Sequence, residues 1–134
     1  MATNPTTTQP KQALLVVGNI FFSSRLRDTL KHLGIGAVSA RSDPEIEAAI
    51  GAQLPSLVIV DLTIATVDAG ALVQRLKSAE ATRAVPIVAF AGHLEVDRLD
   101  GASQAGADVV VTNGQISANL PGIVASLGLT GAPA

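Results

Sequence analysis

The stretch Ser56-Leu57-Val58-Ile59-Val60-Asp61 decides the fold of this chain. Four consecutive apolar residues, three of them β-branched, end abruptly at a carboxylate. A run this short, bounded by polar residues, predicts a strand that is buried on both faces. The carboxylate then lies where the strand leaves the core, which makes Asp61 the first candidate functional residue.

Similar short apolar runs occur on both sides of this strand. Each of the three strongest is followed at once or within two residues by glycine or asparagine, which favour turns. These three runs cover residues 13–17, 86–90 and 108–111, and a weaker strand is predicted at 36–40.

The segments between the strands have apolar residues at helical spacing. Gly34 is placed to end the first helix, and Ser42-Asp43-Pro44-Glu45 is typical of a helix start. Pro121 requires the last helix to begin near residues 117–120, because proline is tolerated only in a first turn. The apolar stripes are Phe22, Leu26, Leu30 and Leu33; Ile46, Ala49 and Ile50; Leu72, Val73 and Leu76; the segment 94–105; and Leu120, Ile123, Val124 and Leu127.

Regular alternation of strand and helix predicts an α/β fold of the (βα)5 type. Its doubly wound parallel sheet has right-handed crossovers and helices on both faces. We expect one domain over residues 12–128, a flexible tail at 1–11 and a short tail at 129–134. Ligands of such sheets bind beyond the carboxyl ends of the strands. The candidate site residues there are Gly18, Asn19, Asp61, Ala91, Gly92 and Asn113.

Composition excludes several classes of function. The chain has 134 residues and no cysteine, so a disulfide framework, a thiolate metal site and a cysteine nucleophile are excluded. With a formal net charge of -2, the chain lacks the excess of positive charge that binds nucleic acid. No apolar run suits a signal peptide or a bilayer span, so we expect no membrane association and a cytoplasmic protein.

One ordered set of motifs resembles the receiver domains of bacterial response regulators. The segment 61–69, Asp-Leu-Thr-Ile-Ala-Thr-Val-Asp-Ala, is similar to their Asp-Leu-Met-Leu-Pro-Gly-Met-Asp-Gly. Gly106-Ala107-Asp108 is similar to the Gly-Ala-Asp that opens their fifth strand. The resemblance covers residues 12–128 and implies a flavodoxin-like, CheY-like sheet with strand order 2-1-3-4-5. It also implies a role in two-component or phosphorelay signal transduction.

Matched residue by residue, the resemblance leaves only the phosphoacceptor position, Asp61, intact. Receivers carry an acidic pair after the first strand, where this chain has Gly18 and Asn19. Their hydroxyl residue after the fourth strand corresponds to Ala91, and their lysine after the fifth strand corresponds to Asn113. The resemblance therefore indicates a degenerate receiver, or pseudo-receiver.

These replacements remove most of the charge that phosphoryl transfer requires. Mg²⁺ prefers several oxygen ligands, and Asp61 with Thr63 would form at most a weak site. Losing one charge-stabilising group commonly costs about 2.7–4 kcal/mol of transition-state stabilisation. We therefore expect no catalytic residue, no cofactor and no enzymatic activity.

Several side chains have two interpretations. Asp61 is either a functional acid or a turn residue that caps a backbone N–H. Asn19 and Asn113 either bond across the old pocket or serve as helix caps and turn residues. Phe21 either packs against the start of the first helix or lies exposed at the pocket rim.

The favoured function is a protein–protein interaction module that works without phosphorylation. Its partner, another protein or a second copy, would bind the face of the fourth helix, fifth strand and fifth helix. One alternative is a conventional phosphoacceptor at Asp61, served by a cognate histidine kinase. A less favoured alternative is a flavodoxin-like binder of a small ligand. The apolar residues predicted on the partner face are Leu94, Val96, Leu99, Val109 and Val111.

Overall fold

A computed structural model describes residues 10–130 of the chain. Five parallel strands form one sheet in the order β2-β1-β3-β4-β5. The predicted (βα)5 fold and its strand order are therefore confirmed. The strands are β1 (Gln12–Val16), β2 (Gly36–Ser39), β3 (Leu57–Asp61), β4 (Ile87–Ala91) and β5 (Val109–Thr112). The helices are α1 (Ile20–His32), α2 (Asp43–Ala52), α3 (Ala69–Ser78), α4 (Val96–Ala105) and α5 (Asn113–Ser126).

The sheet separates two apolar cores. Successive side chains of a strand point to opposite faces, so β3 contributes to both. Val58 and Val60 pack with residues of α2, α3 and α4, whereas Leu57 and Ile59 pack with residues of α1 and α5. All four are almost fully buried, as the continuous apolar run predicts. Asp61 follows them at the point where β3 emerges.

The predicted signals at α1 and α2 are confirmed. The Ser42 side chain caps α2 by accepting a hydrogen bond from the Glu45 N–H at 3.2 Å, and Pro44 lies in the first turn. Gly34 follows α1 with a φ of 80°, a conformation that costs glycine little.

The last helix differs from the prediction. It begins at Asn113 rather than near residues 117–120. Thr112 and Gln115 form a reciprocal capping box that starts the helix early. The backbone of Asn119 then leaves the helical region, with φ -137°, and Pro121 lies in the first turn after this break. The helical segment that contains Pro121 therefore begins after Asn119, within the predicted range, and the turn that starts at Asn113 is an unpredicted addition before it.

The fourth helix is shorter than the segment 94–105 that the sequence indicates, because it begins at Val96. Of the predicted tails, residues 1–9 and 131–134 lie outside the described residues. Leu129 is half-buried and packs against the core beneath α1 and α5. No helix within residues 10–130 is both long enough and apolar enough to cross a membrane.

One ion pair joins neighbouring elements at the amino edge of the sheet, where the strands begin. Lys77 Nζ lies 2.8 Å from Asp108 Oδ2 and also donates to the carbonyl oxygens of Arg83 and Val85. The same Asp108 oxygen accepts from the Ile87 N–H at 2.8 Å. This network joins α3, β4 and the start of β5, and it leaves the Lys77 side chain only 16% exposed.

Candidate functional site

The carboxyl edge of the sheet brings three of the six predicted site residues around one small cavity. Its volume is about 270 Å³. Asn19, Asp61 and Asn113 reach it from the ends of three different strands. Parallel strands place their carboxyl ends at the same edge, which is why residues so distant in sequence meet there. The lining is completed by Val17, Phe22, Thr63 and Phe90.

The Asp61 carboxylate is half-buried and already accepts hydrogen bonds from the protein. Thr63 donates to Asp61 Oδ1 twice, from its N–H at 2.9 Å and from its hydroxyl at 2.8 Å. The Gly18 N–H donates to Asp61 Oδ2 at a longer 3.3 Å. A carboxylate offers roughly four acceptor positions, so the one left open lies on Oδ2.

The residues in place of the acidic pair supply no charge to this cavity. Asn19 is the N-cap of α1, and its side-chain oxygen accepts from the Phe21 and Phe22 N–H groups at 2.9 and 3.0 Å. The helix-cap interpretation of Asn19 is thereby confirmed. At Gly18, a Cβ would lie 3.7 Å from Asp61 Oδ2, so this position faces the acceptor but has no side chain to offer.

The hydroxyl position is also lost. Ala91 is buried at the end of β4 and belongs to the apolar core. Its register partner on β5 is Thr112, the nearest hydroxyl by sheet position. The Thr112 hydroxyl accepts from the Gln115 N–H at 3.1 Å as the cap of α5. Ala91 has no hydroxyl group, and the Thr112 hydroxyl is already hydrogen-bonded in the helix cap. Neither residue therefore supplies a free hydroxyl group to the cavity.

Asn113 occupies the lysine position as the first residue of α5. It is exposed and lines the cavity with a neutral amide. Its amide nitrogen lies near Gly92, 3.9 Å from the position that a Cβ would take there. The interpretation of Asn113 as a residue at the start of a helix fits this placement.

Within residues 10–130, Asp61 has no ion-pair partner. Two arginines approach its surroundings but bind backbone oxygens: Arg41 Nε donates to Val17 O at 3.2 Å, and Arg98 Nη1 donates to Leu62 O at 3.1 Å. No short sequence pattern predicts either contact, because both depend on tertiary packing. Across residues 10–130 the ion pairs are Arg75–Glu47, Lys77–Asp108 and Arg98–Glu95.

The described residues place few potential metal ligands beside Asp61. Within the part of the chain that the structure describes, no three acidic, histidine or cysteine residues cluster closely enough to hold a metal ion. At the predicted weak Mg²⁺ site, the Thr63 hydroxyl is bonded to Asp61 itself.

A larger groove lies between α3 and α4, outside the predicted site. Its volume is about 510 Å³, and its floor is apolar. The charged groups at its edge are already engaged. Asp68 caps α3 by accepting from the Ala71 N–H, and Arg98 binds both Glu95 and the Leu62 carbonyl.

The predicted partner face is only partly exposed. Leu94 and Val96 are 82% and 56% exposed, but Leu99, Val109 and Val111 pack against the domain's own cores. Two further large apolar residues, Ile20 and Phe21, are 59% and 78% exposed at the start of α1. For Phe21 the exposed alternative is therefore confirmed. We call Ile20, Phe21, Leu94 and Val96 the apolar rim.

The described fold matches solved receiver domains along nearly their whole length. A receiver domain of a histidine kinase from Syntrophus aciditrophicus superposes with a TM-score of 0.78 at 21% identity, covering 92% of this chain and 97% of that one. The NtrX receiver domain from Brucella abortus gives 0.76 at 23% identity, with coverages of 87% and 97%. The chain has the receiver fold.

A third match to the receiver fold is the signal receiver domain of a DNA-binding response regulator from Colwellia psychrerythraea. It gives a TM-score of 0.74 at 19% identity, covering 86% of this chain and 98% of that one. No protein-family model matches the sequence, and no curated protein matches it. The resemblance seen in segment 61–69 is thus confirmed at the level of the fold.

Proposed function

We propose that this chain is a pseudo-receiver of two-component signalling, a cytoplasmic protein-interaction module that works without phosphorylation of Asp61. The observation that carries the proposal is the isolation of Asp61 in its cavity. No other carboxylate lines that cavity, and the neighbouring polar groups of Asn19, Thr63 and Thr112 are engaged in helix caps or in bonds to Asp61.

Phosphoryl transfer depends almost entirely on positioned charge. A loose transition state needs metal ions and cationic side chains around its equatorial oxygens. Here the acidic pair is replaced by Gly18 and a capping Asn19, and the lysine is replaced by Asn113. A metal that bound Asp61 through both oxygens would also compete with the two Thr63 donors on Oδ1. These features support a domain without catalytic residues or a resident cofactor.

The surface offered to a partner is apolar and weakly charged. Leu94 and Val96 project at the start of α4, and α5 has no charged residue in its 14 positions. Depletion of charge is typical of the core of protein–protein interfaces. Because the valines of β5 pack inward, we place the partner face at α4 and α5 and extend it towards the carboxyl edge of the sheet.

Incubation with acetyl phosphate and Mg²⁺, followed by intact-mass analysis, tests the proposal. We expect no added phosphoryl mass on the wild-type chain. Asp61→Asn is the matched control, because it keeps the shape and the Oδ1 acceptor while removing the nucleophile. A Mg²⁺-dependent phosphoryl adduct that is absent from Asp61→Asn would overturn the proposal.

One observation favours a conventional phosphoacceptor as the second candidate. Asp61 Oδ2 receives only the long Gly18 bond and borders the open cavity, so it is geometrically able to attack a donor. In this alternative a cognate histidine kinase would supply the missing groups in the complex. Phosphotransfer from a purified kinase to wild-type chain, with no transfer to Asp61→Asn, would establish it.

A further inference from the structure

We propose that the Asp61 cavity receives the ammonium group of a lysine side chain from a protein partner, with the partner surface seated on the apolar rim. This inference rests on the proposed function, since it names the chemistry by which an unphosphorylated Asp61 would be recognised. It follows from the charge, the open acceptor position and the surroundings of Asp61.

The first step is charge. Among the described residues, Asp61 is the one charged side chain that lines the cavity, and it is half-buried. Arg41 and Arg98 are held on the carbonyl oxygens of Val17 and Leu62, and neither lies within 4.0 Å of an Asp61 oxygen. A half-buried carboxylate without a cation favours an incoming positive charge, because the lower local dielectric strengthens the attraction.

The second step is geometry, which selects lysine over arginine and over a metal. Arginine prefers to bind both oxygens of a carboxylate, but Oδ1 is filled by two Thr63 donors. Mg²⁺ demands an octahedral set of oxygens that this cavity lacks. A lysine ammonium is a compact point charge and needs only the open position on Oδ2.

The third step is the lining of the cavity. The Phe22 and Phe90 rings, 5.3 Å apart between centroids, form an apolar wall suited to the aliphatic stem of lysine. Thr63 and Asn113 line the same space, and both residue types have a side-chain oxygen that can accept from an ammonium group. The cavity has a volume of about 270 Å³ and is open to solvent, so a side chain of a partner can reach it.

The fourth step is the apolar rim around the opening. Ile20 and Phe21 follow β1 and Leu94 and Val96 follow β4, the two strands that flank β3 and Asp61. They are four of the five large apolar residues that are exposed within residues 10–130. Apolar contacts on both sides of a charge contact exclude water from it once a partner covers them. The partner therefore presents a lysine that is surrounded by apolar side chains.

The experiment uses butylammonium as the probe for the lysine side chain. In amide NMR of the full chain, we expect saturable shifts of Gly18, Asp61, Thr63 and Asn113. Asp61→Asn should weaken this binding by about tenfold or more, since the charge is lost while the fold is kept. Butylguanidinium should bind less tightly than butylammonium, and neutral pentanol should not shift the Asp61 amide.

Asn113→Lys provides the matched variant, because it places an ammonium beside the cavity from within the chain. We expect this variant to fold normally, since position 113 is exposed, and to lose butylammonium binding. Absence of saturable shifts around Asp61 in wild type, or equal binding by Asp61→Asn, would overturn the inference. The proposed function fails separately, through a phosphoryl adduct with acetyl phosphate.

Discussion

Carboxylates at the amino and carboxyl ends of the strands have opposite surroundings. At the amino edge, Asp108 is paired with Lys77 at 2.8 Å and also bonds the Ile87 N–H. At the carboxyl edge, Asp61 accepts three hydrogen bonds from neutral donors and has no cation within 4.0 Å. The first arrangement joins three elements of the fold, whereas the second joins two loops that are exposed. Asp108 is therefore a structural residue, whereas Asp61 is the carboxylate that we propose an external partner binds.

The largest expected effect is at Asp108. Asp108→Ala removes the partner of a Lys77 side chain that is only 16% exposed and leaves the Ile87 N–H without its acceptor. We expect a loss of about 2–3 kcal/mol in the free energy of unfolding, below the range for a fully buried pair because Asp108 is partly exposed. Urea denaturation followed by far-UV circular dichroism measures it. A loss no greater than that of Asp61→Ala would contradict the comparison.

A smaller effect is expected at Thr112, which starts α5 beside the cavity. Thr112→Ala removes the hydroxyl that accepts from the Gln115 N–H, and a lost N-cap costs about 1 kcal/mol. Thr112→Ser keeps the hydroxyl and is the matched control. If both variants were as stable as wild type in urea, the hydroxyl would not be held in the cap, and it could serve the cavity instead.

Asn19 should behave in the same way at the start of α1. Asn19→Ala removes the acceptor of two backbone N–H groups and is expected to cost about 1 kcal/mol. Asn19→Asp retains the cap and adds a favourable charge at the helix start, so it should not destabilise the chain. Thermal unfolding of the two variants checks this, and a destabilised Asn19→Asp would argue against the cap.

The smallest effect on stability is expected at Asp61. Asp61→Asn keeps an oxygen for both Thr63 donors, and the Gly18 bond that it removes is already long at 3.3 Å and exposed. We expect a change within about 0.5 kcal/mol. Urea denaturation beside Asp108→Ala measures it, and a loss of the same size in both variants would remove the distinction between the two edges.

Most of the fold could be predicted because the relevant signals are local. The apolar run before Asp61 indicates a buried strand by itself, and the Ser42 cap is readable in four residues. The strand order came from the resemblance. The start of α5 was missed, although Thr112 and Gln115 have the spacing of a capping box. Pro121 placed the predicted start near residues 117–120, later in the chain than Asn113. No short pattern indicates that a helical turn precedes the break at Asn119.

The sequence predicted where the candidate site lies but not which hydrogen bonds its surroundings form. Strand ends place Asp61, Asn19 and Asn113 at one edge, which follows from topology alone. The contacts of Arg41 with Val17 and of Arg98 with Leu62 span 24 and 36 residues. Such contacts depend on how helices pack on the sheet, so no short pattern encodes them. For the same reason the exposure of the apolar rim was only partly predicted.

Amide NMR of the labelled chain, titrated with Mg²⁺ and then with beryllofluoride, tests the central claim most directly. Beryllofluoride mimics the aspartyl phosphate, and the double variant Asn19→Asp, Asn113→Lys restores an acid and the lysine as a positive control. We predict that wild-type spectra do not change, while the double variant shifts around Asp61. Saturable shifts in wild type, centred on Asp61 and spreading into α4 and α5, would contradict the account.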